Sequence, residues 1–305
     1  LTTPQPVLAP LSESAVFLTL TINPGGEAAV GDLVPDLAGT ARSVAFPLPD
    51  ERLTWVTGFG SPAWDRLFTG PHPTGLHPFQ ELTGSRHHAP ATPGDVFLHI
   101  WATRHYSCFE LARRVVNRLG DAVSVYHATT GFRYFDRRDL LGYVDGTENP
   151  ADAAAARAAL ISDGPFEGGS FLIVQKYLHD LAKWTAMPVE ERDRSLGRHL
   201  ADDVEDPDAR KAPDSHVART TIEDPDGTEH KILRDNMPFG SIDRGEYGTY
   251  FCGYAADPAV TGKMLARMFV ADPPDRLLDV STAVTGSLFF VPTADFLDSP
   301  PVRQD

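Results

Sequence analysis

The sequence predicts an α+β fold built from two similar halves, and three observations lead there. Aligned with itself at an offset of 154, the chain pairs residues 94–97 (GDVF) with 248–251 (GTYF) and 111–113 (LAR) with 265–267 (LAR), with Ala102/Ala256 and Val116/Val270 also matching. In both copies an apolar, β-rich run of about seven residues leads through a polar break into an amphipathic helix. Strand-like runs outnumber what a helical bundle tolerates, yet they do not alternate with helices regularly enough for a doubly wound sheet. Two antiparallel sheets, each with helices packed on one face, are therefore expected.

In chain order, residues 15–22 (AVFLTLTI) are apolar and β-branched and read as a strand. Residues 31–40 read as a helix, and 53–58 (LTWVTG) as a strand closed by glycine. The first copy of the repeat supplies a strand and a helix over 94–116, and 122–127 (AVSVYH) form a further strand. A boundary is expected near residue 140, in the Arg- and Asp-rich stretch 135–139 (FDRRD), dividing a domain of residues 1–140 from one of 141–305. Beyond it Asn149 is a preferred N-cap and Pro150 a preferred first helical residue, so a helix should start at Asn149 and run through the Ala-rich residues 151–160. Residues 171–176 read as a strand, 177–186 and 190–196 as helices, 248–270 as the second copy, and 286–292 as a closing strand.

Composition narrows the function. A length of 305 residues with 42% hydrophobic content indicates a well-filled core, and a formal charge of −15 argues against electrostatic binding to nucleic acid or anionic membrane. No window approaches the ~20 apolar residues of a membrane span, and the first ten residues lack a basic segment followed by an apolar core. A cytoplasmic location is the expectation. Cys108 and Cys252 stand alone, in no Cys-x-x-Cys arrangement, which disfavours structural zinc, iron–sulfur clusters and covalently attached haem.

The most informative stretch is residues 142–150 (GYVDGTENP). A helix beginning at Asn149 would turn its unpaired N–H groups toward residues 145–148, where Gly146 supplies a conformation closed to other residues. That setting favours an ionised Asp145, able to act as a proton acceptor, a metal ligand or merely a turn-stabilising acceptor. Downstream, the acidic stretch 200–215 lacks apolar periodicity and reads as a surface loop, of a length uncommon inside a compact domain unless functional. It leads into His216, which is either a metal or haem ligand or one satisfied histidine among eleven. Arg234 is a candidate anion clamp. Between them Asp226 and Gly227 mark a hairpin, and simple pairing about that turn would bring His216 near Met237.

Taken together, residues 142–150 (GYVDGTENP), 214–217 (DSHV), 232–240 (ILRDNMPFG), 246–251 (EYGTYF), 174–179 (VQKYLH), 275–279 (DRLLD) and 285–292 (TGSLFFVP) closely resemble the dye-decolourising peroxidases, particularly their bacterial B-type branch. The similarity runs from about residue 15 to residue 292 in matching order and spacing. It implies two duplicated ferredoxin-like domains of the dimeric α+β barrel-like superfamily, and a non-covalent haem b in the C-terminal half. Carried over by motif, His216 becomes the axial ligand of the haem iron and Asp275 the carboxylate that accepts from its other ring nitrogen, with Asp279 the alternative. Asp145, Arg234 and Asn236 then line the face where peroxide reacts. Gly146, Thr147 and Glu148 of the same turn, and Arg198 near a propionate, complete the cofactor-binding set, although residues 199–201 (HLA) depart from the more polar pattern common there.

The activity so implied is reduction of hydrogen peroxide and one-electron oxidation of dyes, phenols or other reducing substrates through a ferryl intermediate. Asp145 would move a proton and Arg234 stabilise the charge on the leaving oxygen. Large dyes do not fit a peroxide-sized pocket, so Tyr247, Tyr250, Trp101 and Trp184 are candidates for carrying electrons to the surface, or else packing residues. Glu148, Glu205 and Glu229 are candidates for an Mn²⁺ site, or else solvated surface acids. A homo-oligomer is expected from the resemblance. The rivals are a non-catalytic haem-handling protein, a haem enzyme acting on an oxidant such as chlorite, and a metal-dependent hydrolase, which lacks any compact ligand motif such as His-Glu-x-x-His.

Overall fold

The computed structural model describes residues 2–303 and shows an α+β architecture. The first half runs β1 (Ser14–Ile22), α1 (Glu27–Leu33), α2 (Leu37–Ala45), β2 (Thr54–Gly60), α3 (Ser61–Leu67), a small hairpin β3 (Leu82–Thr83) and β4 (His88–Ala89), β5 (Val96–Ala102), α4 (His105–Leu119) and β6 (Val123–Phe132). The second half opens with α5 (Asp152–Ala159), β7 (Ser170–His179), α6 (Leu181–Ala186), α7 (Val189–Leu196) and α8 (His216–Thr220). A second small hairpin, β8 (Ile222–Glu223) and β9 (Glu229–His230), precedes β10 (Leu233–Arg234), β11 (Met237–Ser241), β12 (Glu246–Ala255), α9 (Pro258–Phe269), β13 (Ser281–Ala283), β14 (Ser287–Val291) and α10 (Ala294–Asp298).

Ten of these strands form one antiparallel sheet in the order β10-β12-β7-β14-β2-β5-β1-β6, with β11 also on β12 and β13 also on β7. The repeat is visible in this order. Each half places its strands as second, third, first and fourth, with β2, β5, β1 and β6 answering to β10/β11, β12, β7 and β14. The strand–helix unit β5–α4 likewise recurs as β12–α9. The two half-sheets are edge-joined by two residue pairs, Phe289 with Gly60 and Phe290 with Phe59. The path stays open: no closed barrel forms among the described residues, although β6 and β11 pack so closely that a Cβ at Gly131 would lie 2.9 Å from that of Met237.

Strand alternation sorts the core into two layers. Phe17, Phe97, Leu172, Tyr250, Cys252, Tyr254 and Phe289 fill one, between the half-sheets. Phe17 stacks on Tyr250 at 4.2 Å and Phe97 on Phe289 at 5.2 Å, so aromatic contacts bind one half to the other, each worth about 0.5–1.5 kcal/mol beyond area burial. The alternate residues, among them Leu18, Leu98, Ile173 and Phe290, pack under the outer helices.

Three local expectations are corrected. The helix expected over 31–40 is broken into α1 and α2 by a 3₁₀ turn carrying Pro35, which has no N–H to continue an α-helix. The helix expected over 177–186 starts only at Leu181, because β7 continues to His179 and the Asp180 side chain then caps the new helix at Lys183 N. Helix α5 starts at Asp152 with Ala151 as its N-cap, so Asn149 is not a cap and Asp145 does not sit at a helix mouth. Gly146 does hold a positive φ of 87°, as the turn requires.

Candidate active site

Residues from Asp139 onward surround a cavity of about 510 Å³, within the roughly 300–1,000 Å³ usual for ligand pockets. His216 comes to it as the first residue of α8, whose N-cap Ser215 accepts from Ala218 N. The expected hairpin exists but is short. Its ladder covers only Ile222 with His230 and Glu223 with Glu229, after which β10 pairs with β12 instead. His216 therefore sits on a helix outside the ladder rather than opposite Met237.

The Nδ1–H of His216 donates to Asp275 Oδ2 at 2.7 Å, and Asp275 is fully buried. Its other oxygen accepts from Leu277 N at 2.9 Å, so the carboxylate is anchored at both ends. Arg276 braces the same junction through Asp214, just ahead of His216. Asp279 faces elsewhere, pairing with Arg86 at 2.5 Å and His87 at 3.1 Å. With Nδ1 committed, Nε2 is the ring nitrogen left to ligate.

Asp145, from the Gly146 turn, and Arg234 and Asn236, from β10 and the link that follows it, line the same cavity. Alternation through residues 233–237 turns Arg234 and Asn236 to one face, and Leu233, Asp235 and Met237 to the core between the half-sheets. Asn236 Nδ2 donates to Asp145 Oδ1 at 3.3 Å, while its own Oδ1 is buried without a partner. The Arg234 guanidinium makes no hydrogen bond or ion pair among the described residues. Its backbone is held by Asn149: Arg234 N–H donates to Asn149 Oδ1 at 2.9 Å and Asn149 Nδ2 donates to Arg234 O at 2.7 Å.

Arg198 also lines the cavity and is only 7% exposed. It donates to Glu148 at 2.6 Å, Glu205 at 3.2 Å and the Asp203 carbonyl at 2.5 Å, fastening the acidic loop to the Gly146 turn, where Thr147 also donates to Asp203. Burial works against charge on Glu148, but the Arg198 hydrogen bond and charge, with Lys231 and Arg234, together outweigh it and hold the carboxylate below its usual range. Glu148, Glu205 and Glu229 are paired with Arg198, Lys211 and Lys231, and no group of three acids, histidines or cysteines with metal-site geometry occurs among the described residues. Trp101, Trp184 and Tyr250 are buried, the two indoles donating to the carbonyls of Pro10 and Leu141, whereas Tyr247 is partly exposed.

Two further carboxyls flank Asp145. Burial and the Asp145 charge push Asp139 up to about 7, and the same two causes push Asp235 up to about 8. Asp235 is 6% exposed and its Oδ2 has no partner. Neither acid, nor the Asn149 clamp, was expected from sequence. The alternation of residues 233–237 was the available signal for Asp235, since it puts that side chain opposite Arg234.

Comparison with known families makes the chain a peroxidase: the N-terminal Dyp-type peroxidase model matches residues 4–133 and the C-terminal one residues 136–296. The chain belongs to the Dyp-type, or dye-decolourising, peroxidase family. It is 54% identical to the dye-decolorizing peroxidase of Rhodococcus erythropolis over 98% of this chain and 89% of that one. The encapsulated DyP-type peroxidase from Mycobacterium smegmatis superposes with a TM-score of 0.96 at 53% identity, covering 99% of each chain. DyPB from Rhodococcus jostii gives 0.94 at 50% identity, over 99% of this chain and 98% of that one; a Rhodococcus jostii DypB variant is described in complex with heme, and a DypB variant in complex with manganese. No helix among the described residues is long and apolar enough to cross a membrane.

Proposed function

We propose that this peroxidase works with a non-covalent haem b in the cleft, His216 ligating the iron and Asp145, Arg234 and Asn236 facing the peroxide. The observation that carries the reading is that one cavity gathers a carboxylate-backed imidazole and this proton- and charge-handling trio. The residues suit the group: a free imidazole nitrogen, apolar surface from Phe251, Met264, Leu265, Met268 and Leu277, and the orphaned Oδ1 of Asn236, which lacks an O–H or N–H donor. Arg198 would share itself between Glu148, Glu205 and a propionate.

When bound, the haem supplies the redox chemistry, taking two oxidising equivalents from peroxide and returning them singly to reducing substrates. Asp275 fixes the His216 tautomer and gives the ring partial imidazolate character, raising the basicity of Nε2. Asp145 takes a proton from the inner peroxide oxygen and returns it to the outer one. The Arg234 guanidinium favours the negative charge on the departing oxygen. Asn236 accepts from the peroxide O–H and holds Asp145 in line. A Soret band that responds to one equivalent of hydrogen peroxide supports this reading, whereas an unresponsive band favours haem handling and no band after reconstitution defeats both.

Manganese as a reducing substrate would need Glu148, Glu205 or Glu229 released from its lysine or arginine partner, and unchanged manganese-dependent turnover after changing all three to Gln would dispose of it. The division near residue 140, with the haem site in the second domain, a cytoplasmic location and assembly into a homo-oligomer belong to the same proposal. Light scattering of the purified protein checks the assembly.

A further inference from the structure

We propose that Asn149 is a positioning residue for Arg234, fixing through the backbone where the guanidinium stands; this rests on the peroxidase reading of Arg234 given above. Strand β10 ends the sheet path, with β12 on one side only. In an antiparallel ladder the N–H and C=O of one residue point to the same side. Asp235 N–H turns to β12, donating to Cys252 O at 2.9 Å, so those of Arg234 turn to the open edge. There they would be left to water or to a ligand. The Asn149 carboxamide takes both, at 2.9 and 2.7 Å, acting as one residue of a missing strand across 85 positions of sequence.

The clamp is built by the turn that carries Asp145. Gly146, at positive φ, lets Asn149 N–H close onto Gly146 O at 3.0 Å, which brings the Asn149 side chain back to β10. Asn236, two residues beyond Arg234 in the link from β10 to β11, ties the same turn to this segment through Asp145. Proton acceptor and guanidinium are thereby held on one frame stitched at two places. A displacement of about 1 Å at a reacting group can cost on the order of a hundredfold in rate.

Two measurements on Asn149→Ala test this. Amide hydrogen exchange, followed with and without bound haem, should show faster exchange at Arg234, by tenfold or more. In the haem-loaded protein the second-order rate of the peroxide-dependent Soret change should fall about tenfold or more, while in an Arg234→Leu background the same substitution should add less than about twofold. The near-isosteric Asn149→Asp, which keeps the acceptor for Arg234 N–H but loses the donor to its carbonyl, should slow the peroxide step by a smaller factor. Unchanged exchange, an unchanged peroxide rate in both variants, or an undiminished Asn149→Ala effect in the Arg234→Leu background overturns the positioning role. Wild-type rates in Arg234→Leu alone instead overturn the reading of Arg234 on which it rests.

Discussion

His216 Nδ1 lies 2.7 Å from Asp275 Oδ2, and that carboxylate has no exposed surface. A buried carboxylate four residues from Asp279 thus serves the imidazole, while Asp279 serves Arg86 and His87. Replacing Asp275 by Asn leaves a neutral acceptor, removes the push on Nε2, and should raise the reduction potential of the bound haem and slow its reaction with peroxide about 10- to 100-fold. Asp279→Asn should change neither. Spectroelectrochemical titration of both variants checks this, and equal potentials in Asp275→Asn and wild type would contradict it.

Arg234→Leu should remove more peroxide reactivity than Asp145→Asn. The guanidinium has no substitute among the groups lining the cleft near Asn236, so its loss should cost on the order of 10²–10³ in rate. A water can relay the proton in place of Asp145, which makes that loss smaller. Stopped-flow absorbance at the Soret band measures both, and equal losses would refute the division of labour.

The two buried acids set a pH dependence of stability. Asp139 and Asp235 titrate in the folded chain near 7 and 8, above the ~3.9 of a free aspartate, so the folded state holds more protons than the unfolded one between those values. Their contribution is fully present below about pH 4 and is lost as pH rises through about 7 for Asp139 and about 8 for Asp235. Asp235→Asn should therefore raise the melting temperature more at about pH 9 than at about pH 5. Thermal unfolding at the two pH values decides it, since an equal shift at both would mean that Asp235 does not titrate between them.

Much of this architecture is legible in the chain because it is local or repeated. The repeat at an offset of 154 returns as β5–α4 and β12–α9, and the glycine turn at Gly146 has the backbone its residue type implies. What escaped sequence reading is non-local. Asn149 has the side chain of a good N-cap, but two backbone groups of Arg234 compete for that carboxamide, and the helix yields by starting at Asp152. The joining of the half-sheets rests on pairs at Phe289 and Phe290 that carry no turn or periodicity signal. The pairing of Glu148 and Glu205 with Arg198 likewise depends on a loop closing back on the 142–150 segment, which spacing along the chain does not reveal.

The most direct test of haem held through His216 is the absorption spectrum of His216→Ala after haem reconstitution, with and without added imidazole. The expected result is loss of most bound haem or a changed ligation spectrum, peroxide reactivity lost with it, and partial recovery when imidazole fills the space. An unaltered Soret band with undiminished peroxidase activity would contradict the assignment.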